Sequence, residues 1–388
     1  MNGKSRYSEL GVDVHKAGID FFKSFVANIF PHAFTNVFKV SEGGRGLVLH
    51  VDGAGSKPII AYLYYKETGD CKWFRGLTQD VVAMNLDDVI TVGAKPIAFA
   101  DYISLNSFKI PRLEVLHELG VGFKEVFDLL SNFNLPILFA GGETADLPDQ
   151  VRTLDIAGIL LAEVELSKVI TSDSICAGNI IVGLKSNGRA KYERVENSGI
   201  MCNGLTLARH ALLNESYLSR FPEIGEPLSE RKYFGRYCLE DYLDELGMTI
   251  GEALLSPTRI YAPIIMEVLE RCGEGVTGMV HNTGGGLTKI LRIGVNLRYI
   301  KDNLPPIDPI FKLIQLEGKV NWSEMYEVFN MGIGFEIIVK EEYVDEVVSI
   351  SEKYGVDAYV IGRVERSSFQ SNEVIIKTPE GTFTYRGK

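Results

Sequence analysis

Val51-Asp52-Gly53-Ala54-Gly55-Ser56-Lys57 sets a carboxylate into glycine and follows it with a hydroxyl and an amine. The run before it, Gly46-Leu47-Val48-Leu49-His50-Val51, is apolar and reads as a buried or half-buried strand. An acid, two glycines, a hydroxyl and a lysine therefore arrive together where a strand ends, and sites are commonly built on such loops. The glycines let backbone N–H groups approach an anion closely, and Lys57 adds positive charge. Asp52 repels phosphate directly but can face it across Mg²⁺. In isolation the same residues also read as an Asp-Gly turn between two strands with Lys57 on the surface.

A length of 388 residues suggests two domains, or three. With 46% hydrophobic and 23% charged residues, the chain can bury a sizeable soluble core. A net charge of −11 argues against general nucleic-acid binding and against an anionic membrane surface. It leaves room for a nucleotide in a local cationic pocket. The cysteines (71, 176, 202, 238 and 272) are scattered without a C-x-x-C pair. Reduced thiols and a cytoplasmic location are expected rather than disulfides or a thiolate zinc site. The N-terminus has no apolar core of a signal peptide, and no apolar run approaches the ~18 residues of a membrane span.

A first domain is expected over 1–167 and a second over 168–388. In the first, strands are expected at 46–51, 59–65, 96–105, 135–140 (buried) and 154–164, with helices at 78–92 and 112–133. That alternation predicts a mixed α/β domain. In the second, strands are expected at 179–184, 332–339 and 358–364, and helices at 203–213, 257–272 and 341–354. Residues 185–198 read as a polar loop, and 214–248 as an excursion without clear period.

Four further segments carry candidate chemistry. Met84-Asn85-Leu86-Asp87-Asp88 lies inside a helix, where neighbours point about 100° apart, so only one of the two acids faces any given site. A solvated acidic face is the expected reading of that pair alone. Phe139-Ala140-Gly141-Gly142-Glu143-Thr144 repeats the opening logic of strand, glycines and acid, and the functional reading leads. His281-Asn282-Thr283-Gly284-Gly285-Gly286 opens a helical pattern. It reads equally as an anion pocket of backbone N–H groups or as a flexible connector. Met325-Tyr-Glu-Val-Phe-Asn-Met-Gly-Ile-Gly334 reads as structural packing. None of these segments is a P-loop or a dinucleotide fingerprint. Acids at element boundaries beside Gly-rich segments ask for a Mg-nucleotide on a fold without a P-loop.

Read in order, the segments match a family. YSELGVDVHKAG (7–18), VDGAGSK (51–57), DVVAMNLDDVITVGAKP (80–96), FAGGETADLP (139–148), SGIMCNGLTLAR (198–209), LLSPTRIY (254–261), HNTGGG (281–286) and MYEVFNMGIGF (325–335) resemble the phosphoribosylformylglycinamidine cyclo-ligases of purine biosynthesis. The resemblance implies an α/β N-terminal domain with a mixed sheet that dimerises through strands, and an α+β C-terminal domain whose sheet is covered by helices. It implies ATP-dependent ring closure of formylglycinamidine ribonucleotide, with Mg²⁺, and K⁺ as a further candidate cation. Carried over by position, Asp52, Asp88 and Glu143 would hold the metal. Lys57, Asp88 and His281 would be catalytic. Gly53, Gly55, Lys57, Gly141, Gly142, Asn203, Gly204, Thr283, Gly284 and Gly285 would bind nucleotide or phosphate. The expected partners are a ribonucleotide substrate and a second copy of the chain, with neither nucleic acid nor membrane.

The chain also departs from that pattern. The family's Pro-His-Ser-Asn-Gly is Ile200-Met201-Cys202-Asn203-Gly204 here, and a thioether cannot shuttle a proton. Either another base serves, with His281 the first candidate, or the substrate differs. A related phosphotransferase of the same ATP-binding superfamily and a nucleotide-binding paralogue without turnover are the alternatives.

Overall fold

The structure, a computed structural model, describes residues 5–12, 14, 18–39, 43–226 and 232–387. Residues 13 and 15–17 of the 7–18 match, and 227–231 of the 214–248 excursion, lie outside them.

Among the described residues, two large sheets organise the chain. The first holds β1 (Arg45–Gly53), β2 (Lys95–Leu105), β3 (Leu138–Asp146) and β4 (Leu154–Glu165) in the order β1-β4-β2-β3. β4 is antiparallel to β1 and β2, whereas β3 is parallel to β2, so the sheet is mixed. The second holds β5 (Ile180–Lys185), β6 (Val276–His281), β7 (Leu297–Lys301), β8 (Ile333–Val339), β9 (Ala358–Arg366), β10 (Glu373–Thr378) and β11 (Gly381–Arg386). Their order is β6-β8-β5-β9-β7-β10-β11, antiparallel throughout except between β7 and β10. Mixed sheets with helices, as expected, make up the fold.

The helices that position the site are α1 (Lys57–Thr68), α2 (Gly76–Ile90), α3 (Arg112–Asn132), α4 (Leu205–Leu212) and α5 (Ala262–Cys272). The strand expected at 59–65 is instead α1. Its run Ile60-Ala61-Tyr62-Leu63-Tyr64 is buried all round, so periodicity does not separate it from a strand. Pro58 in the first turn, with its fixed φ, was the available helix signal. The helix expected from 257 begins only at Ala262, again with a proline in its first turn. The strand expected to be buried at 135–140 is corrected as well. β3 starts at Leu138, runs to Asp146 and forms a sheet edge, leaving Leu138 and Phe139 69% and 51% exposed.

α2 is the pivot between the two halves, buried continuously from Asp80 to Ile90. That buried stretch carries four polar side chains, Asp80, Asn85, Asp87 and Asp88, and helix geometry sorts them. Seven residues return to within about 20° of the starting direction, so Asp80 and Asp87 share a face. That face meets residues 256–262: Asp87 accepts the backbone N–H groups of Tyr261 (2.9 Å) and Ala262 (3.0 Å). Asn85 and Asp88, three apart, face β1 and β6. The solvated acidic face expected at Asp87-Asp88 is therefore wrong, because both carboxylates are buried and only Asp88 turns toward the candidate site.

Candidate functional site

Three proton-bearing groups converge on Asp88. His281 Nδ1, at the end of β6, is 2.7 Å from Oδ1. His50 Nε2, on β1, is 3.4 Å from Oδ2, and Lys289 Nζ is 3.6 Å from the same oxygen. Asn85 accepts from His50 Nδ1 (2.9 Å) and donates to the Asp52 carbonyl (3.1 Å). Asp52 stands two residues after His50 on the same strand and so on the same sheet face. The Thr35 hydroxyl donates to the Asp88 carbonyl at 2.7 Å.

Electrostatics follow from that geometry. Burial alone would raise the Asp88 pKa, but Lys289, His281 and His50 together hold it well below the usual carboxylate range. Burial would lower the His50 pKa, yet the Asp88 hydrogen bond and charge, with Asn85 and Asp52, outweigh it and the net shift is upward. For His281 burial wins over the Asp88 contact, and its pKa is lowered. Burial likewise lowers the Lys289 pKa. A neutral His281 that donates from Nδ1 to Asp88 carries its lone pair on Nε2. That nitrogen is buried and has no hydrogen-bond partner among the described residues. The arrangement has the geometry of a carboxylate-oriented imidazole.

Not every predicted site residue joins this cluster. Lys57 was expected to meet phosphate from a loop. It is fully buried at the start of α1, where Nζ donates to Asp80 Oδ1 (2.7 Å) and the Ser256 carbonyl (2.8 Å). Its charge is spent on Asp80, so the phosphate role is not what the structure shows. Gly141 and Gly142 do not follow a strand but lie within β3, where Gly142 pairs with Asp101 and Glu143 with Tyr102 of β2. Asp52 Oδ1 accepts the adjacent Gly53 N–H at 2.8 Å. No group of three or more His, Cys, Asp or Glu side chains among the described residues could hold a metal ion. Asp52, Asp88 and Glu143 are not gathered into such a group; Asp88 Oδ1 faces His281, and Oδ2 faces His50 and Lys289.

The glycine segments at 203–204 and 283–286 do come together. Phe329, from the MYEVFN stretch, packs against both. A Cβ on Gly204 would meet its ring at 2.2 Å, and one on Gly286 would meet its carbonyl at 2.3 Å. Both glycines also have positive φ, 76° and 50°. Asn203 donates to the Val328 carbonyl (2.8 Å), and its Oδ1 is buried without a partner. Thr283 contacts Lys289, and Gly284 and Gly285 lead into the 3₁₀ turn Gly286–Arg292 that carries Lys289. Gly53 and Gly55 flank the Asp52 loop, with Gly55 close to the Cys202 carbonyl. Met201 is 1% exposed with φ 54°, a conformation rare for a residue with a side chain. Cys202 beside it points at Asp80, and burial first, then Asp80, pushes its thiol far up.

Sequence reasoning missed His50, Asn85 and Lys289. The first two were within reach: His50 shares a strand face with Asp52, and Asn85 a helix face with Asp88. A cleft of about 590 Å³ between α2, α3 and the 192–197 loop lies apart from the cluster. Its charged lining is already paired, Arg75 with Glu118 and Arg194 with Glu125.

A family model for the N-terminal domain of AIR synthase related proteins matches residues 34–164, and the model for their C-terminal domain matches 177–371. The chain belongs to the AIR synthase related family. Within the family it is 38% identical to a phosphoribosylformylglycinamidine cyclo-ligase of Methanocaldococcus jannaschii, over 87% of this chain and 84% of that one. It is 36% identical to the protein of the same name from Methanococcus vannielii, over 84% and 80%. The fold is shared with a solved structure described as AaThiL complexed with AMPPCP and TMP, at a TM-score of 0.55 and 14% identity, covering 95% of both chains. In AIR synthase terms, the Asp88 cluster lies where the two family domains meet, since Asp88 and His50 come from the first and His281 and Lys289 from the second.

Proposed function

We propose that this chain closes the imidazole ring of aminoimidazole ribonucleotide, consuming ATP and formylglycinamidine ribonucleotide and releasing ADP and phosphate. The observation that carries the reading is the Asp88–His281 pair with its unpartnered Nε2, in a chain whose relatives bear the cyclo-ligase name. An amide oxygen is a poor leaving group, so ATP first phosphorylates the formyl-amide oxygen. The amidine-side nitrogen then attacks the same carbon, the C–O bond breaks, and the oxygen departs as phosphate. His281 Nε2 takes the proton lost by the nitrogen, while Asp88 fixes the tautomer and stabilises the imidazolium. Lys289 and the amides of Gly284 and Gly285 face the phosphoryl groups. Mg²⁺ would supply charge neutralisation when it arrives with ATP. Since the three carboxylates are not gathered into one group, no step is assigned to it or to K⁺.

Incubation of the purified protein with the ribonucleotide and ATP should give substrate-stimulated phosphate release and the cyclised product. ATP consumption with the phosphate retained on the substrate would mark a phosphotransferase instead. Because burial lowers the His281 pKa, kcat/KM should stay level as pH falls and drop only below the ordinary histidine value of about 6.5. A fall centred above that value, on the acid side, would remove His281 from the role of base.

A homodimer in the cytoplasm completes the proposal. The outer face of the first sheet supports it: Leu49, Leu161, Ala98 and Leu138 form one apolar row across four strands, and Val51, Ile159 and Ala100 a second. Leu49 and Val51 are 57% and 65% exposed. An apolar sheet face of this extent asks for a cover, and a second copy of the sheet supplies one. Val51→Lys together with Leu49→Lys should convert dimer to monomer in light scattering. A doubly substituted protein that stays dimeric would exclude this face.

A further inference from the structure

Among the described residues, one buried cation has no carboxylate within ion-pair distance. Lys57, Lys185, Arg259, Lys289 and Lys301 are all buried, and each lies within ion-pair distance of a carboxylate. Arg209, at 4% exposure on α4, forms no such pair among the described residues. Its Nη1 reaches only the Ser56 carbonyl, at a long 3.4 Å, and its Nε is buried with no partner. The ring of Tyr233 lies against the guanidinium, 5.8 Å from centroid to Cζ. An arginine cannot shed its proton to escape burial, so an unpaired one is costly unless a ligand completes it.

Arg209 lines a cavity of about 240 Å³ with Thr206, Arg152, His210, Glu223 and Glu226. The two carboxylates there are engaged elsewhere: Glu226 with Arg152 at 2.7 Å, and Glu223 with the Tyr62 hydroxyl and Lys109. His210 is held neutral, its pKa pushed down to about 4 by burial and then by Arg209. Among the described residues the charge left without an ion pair in this cavity is therefore that of Arg209. The cavity is smaller than the ~300 Å³ at which whole-ligand pockets begin, which makes it a subsite for one end of a molecule. It is tied to the opening loop by the Ser56–Thr206 hydroxyl contact at 3.0 Å. Ser56 is four residues from Asp52, so the two are no more than about 14 Å apart along the chain.

We infer that Arg209 and Thr206 form an anion subsite that holds the phosphate monoester of the ribonucleotide, with its reacting end directed to the Asp88–His281 cluster. The inference rests on the ring-closure reading for the identity of the ligand, though not for the existence of the subsite. The planar fork of an arginine matches two phosphate oxygens at once. The same oxyanion chemistry could come from ATP, so the test must separate the two.

Arg209→Gln should raise KM for the ribonucleotide by about 10- to 100-fold, the factor lost with a charged hydrogen bond, and leave KM for ATP unchanged. Ribose 5-phosphate should bind the wild-type protein in calorimetry and bind R209Q at least tenfold more weakly, while ribose distinguishes neither. Arg209→Lys keeps the charge without the fork and should lie between the two. It serves as the readout if R209Q does not fold. An unchanged ribonucleotide KM in both variants overturns the subsite, and a raised ATP KM alone overturns the monoester assignment. If the wild-type protein closes no ring yet binds ribose 5-phosphate through Arg209, the subsite stands and the cyclo-ligase reading fails. Turnover with unchanged KM gives the reverse.

Discussion

Asp88→Asn should lower kcat/KM for ring closure by roughly 10²- to 10⁴-fold, the range a positioned acid–base group contributes. The substitution keeps volume and one acceptor oxygen, so His281 Nδ1 retains a hydrogen-bond partner. What it removes is the negative charge that stabilises the imidazolium formed when Nε2 takes a proton. It also turns an amide toward His50 or Lys289, which now stand at 3.4 and 3.6 Å from a carboxylate oxygen. His50 and Lys289, which share that anion, are left to repel each other in a buried site. His281→Asn should cost a similar factor. The double variant should cost little more than either alone, because residues that act as a unit are not additive. Steady-state kinetics of the three variants measure this directly. If Asp88→Asn retains activity within threefold, the cluster is structural and the base lies elsewhere.

The same cluster has a pH signature in stability. The folded Asp88 pKa is depressed by Lys289, His281 and His50 against burial, so its contribution is present above the unfolded value of about 3.9. It is lost as pH falls through the lower folded value. The folded His50 pKa is raised, so its contribution is full below about 6.5 and lost as pH rises through the folded value. Urea midpoints of wild type and Asp88→Asn should therefore converge only in acid.

How far the sequence reached depended on whether local pattern or tertiary packing carried the information. β2, α3, β4, β5, β8 and β9 fell where period and punctuation put them, because each has one face in a core or a clear boundary residue. α1 was misread because a segment buried on all sides has no period. α2 shows the same limit from the functional side. Its acids sit in a run that looks like a solvated stripe, and only packing between two domains reveals that Asp80, Asp87 and Asp88 each meet a different partner. His281 was legible as a base candidate by exclusion, once Met201 stood where the family has histidine. Lys289 was not, because nothing in a helical pattern after three glycines says that its amine turns back toward a helix about two hundred residues upstream. The glycines were legible as sites of close approach, yet what approaches Gly204 and Gly286 is Phe329 as well as any ligand.

Lys57→Met should destabilise the protein by about 3–5 kcal/mol, the cost of breaking a buried ion pair by removing one partner. Asp80 Oδ1 accepts from Lys57 Nζ (2.7 Å), the Thr258 amide (2.8 Å), the Thr258 hydroxyl (2.7 Å) and the Cys202 thiol (3.2 Å). Asp80 Oδ2 has no partner, and neither Lys57 nor Asp80 reaches solvent. Without Lys57 the buried carboxylate loses its counter-charge and keeps only neutral donors. Lys57 also ties the start of α1 to the Ser256 carbonyl, so its loss loosens the Asp52 loop against the second domain. Asp80→Asn added to Lys57→Met should recover part of the lost stability, because it removes the stranded charge and keeps an acceptor for Thr258. Urea titrations of the single and double variants give the coupling. A phosphate-binding lysine predicts a different result: an unchanged urea midpoint, a raised KM for ATP, and no rescue by Asp80→Asn. A wild-type midpoint for Lys57→Met would return the amine of the Asp-Gly-x-Gly-Ser-Lys loop to the nucleotide, where sequence alone had put it.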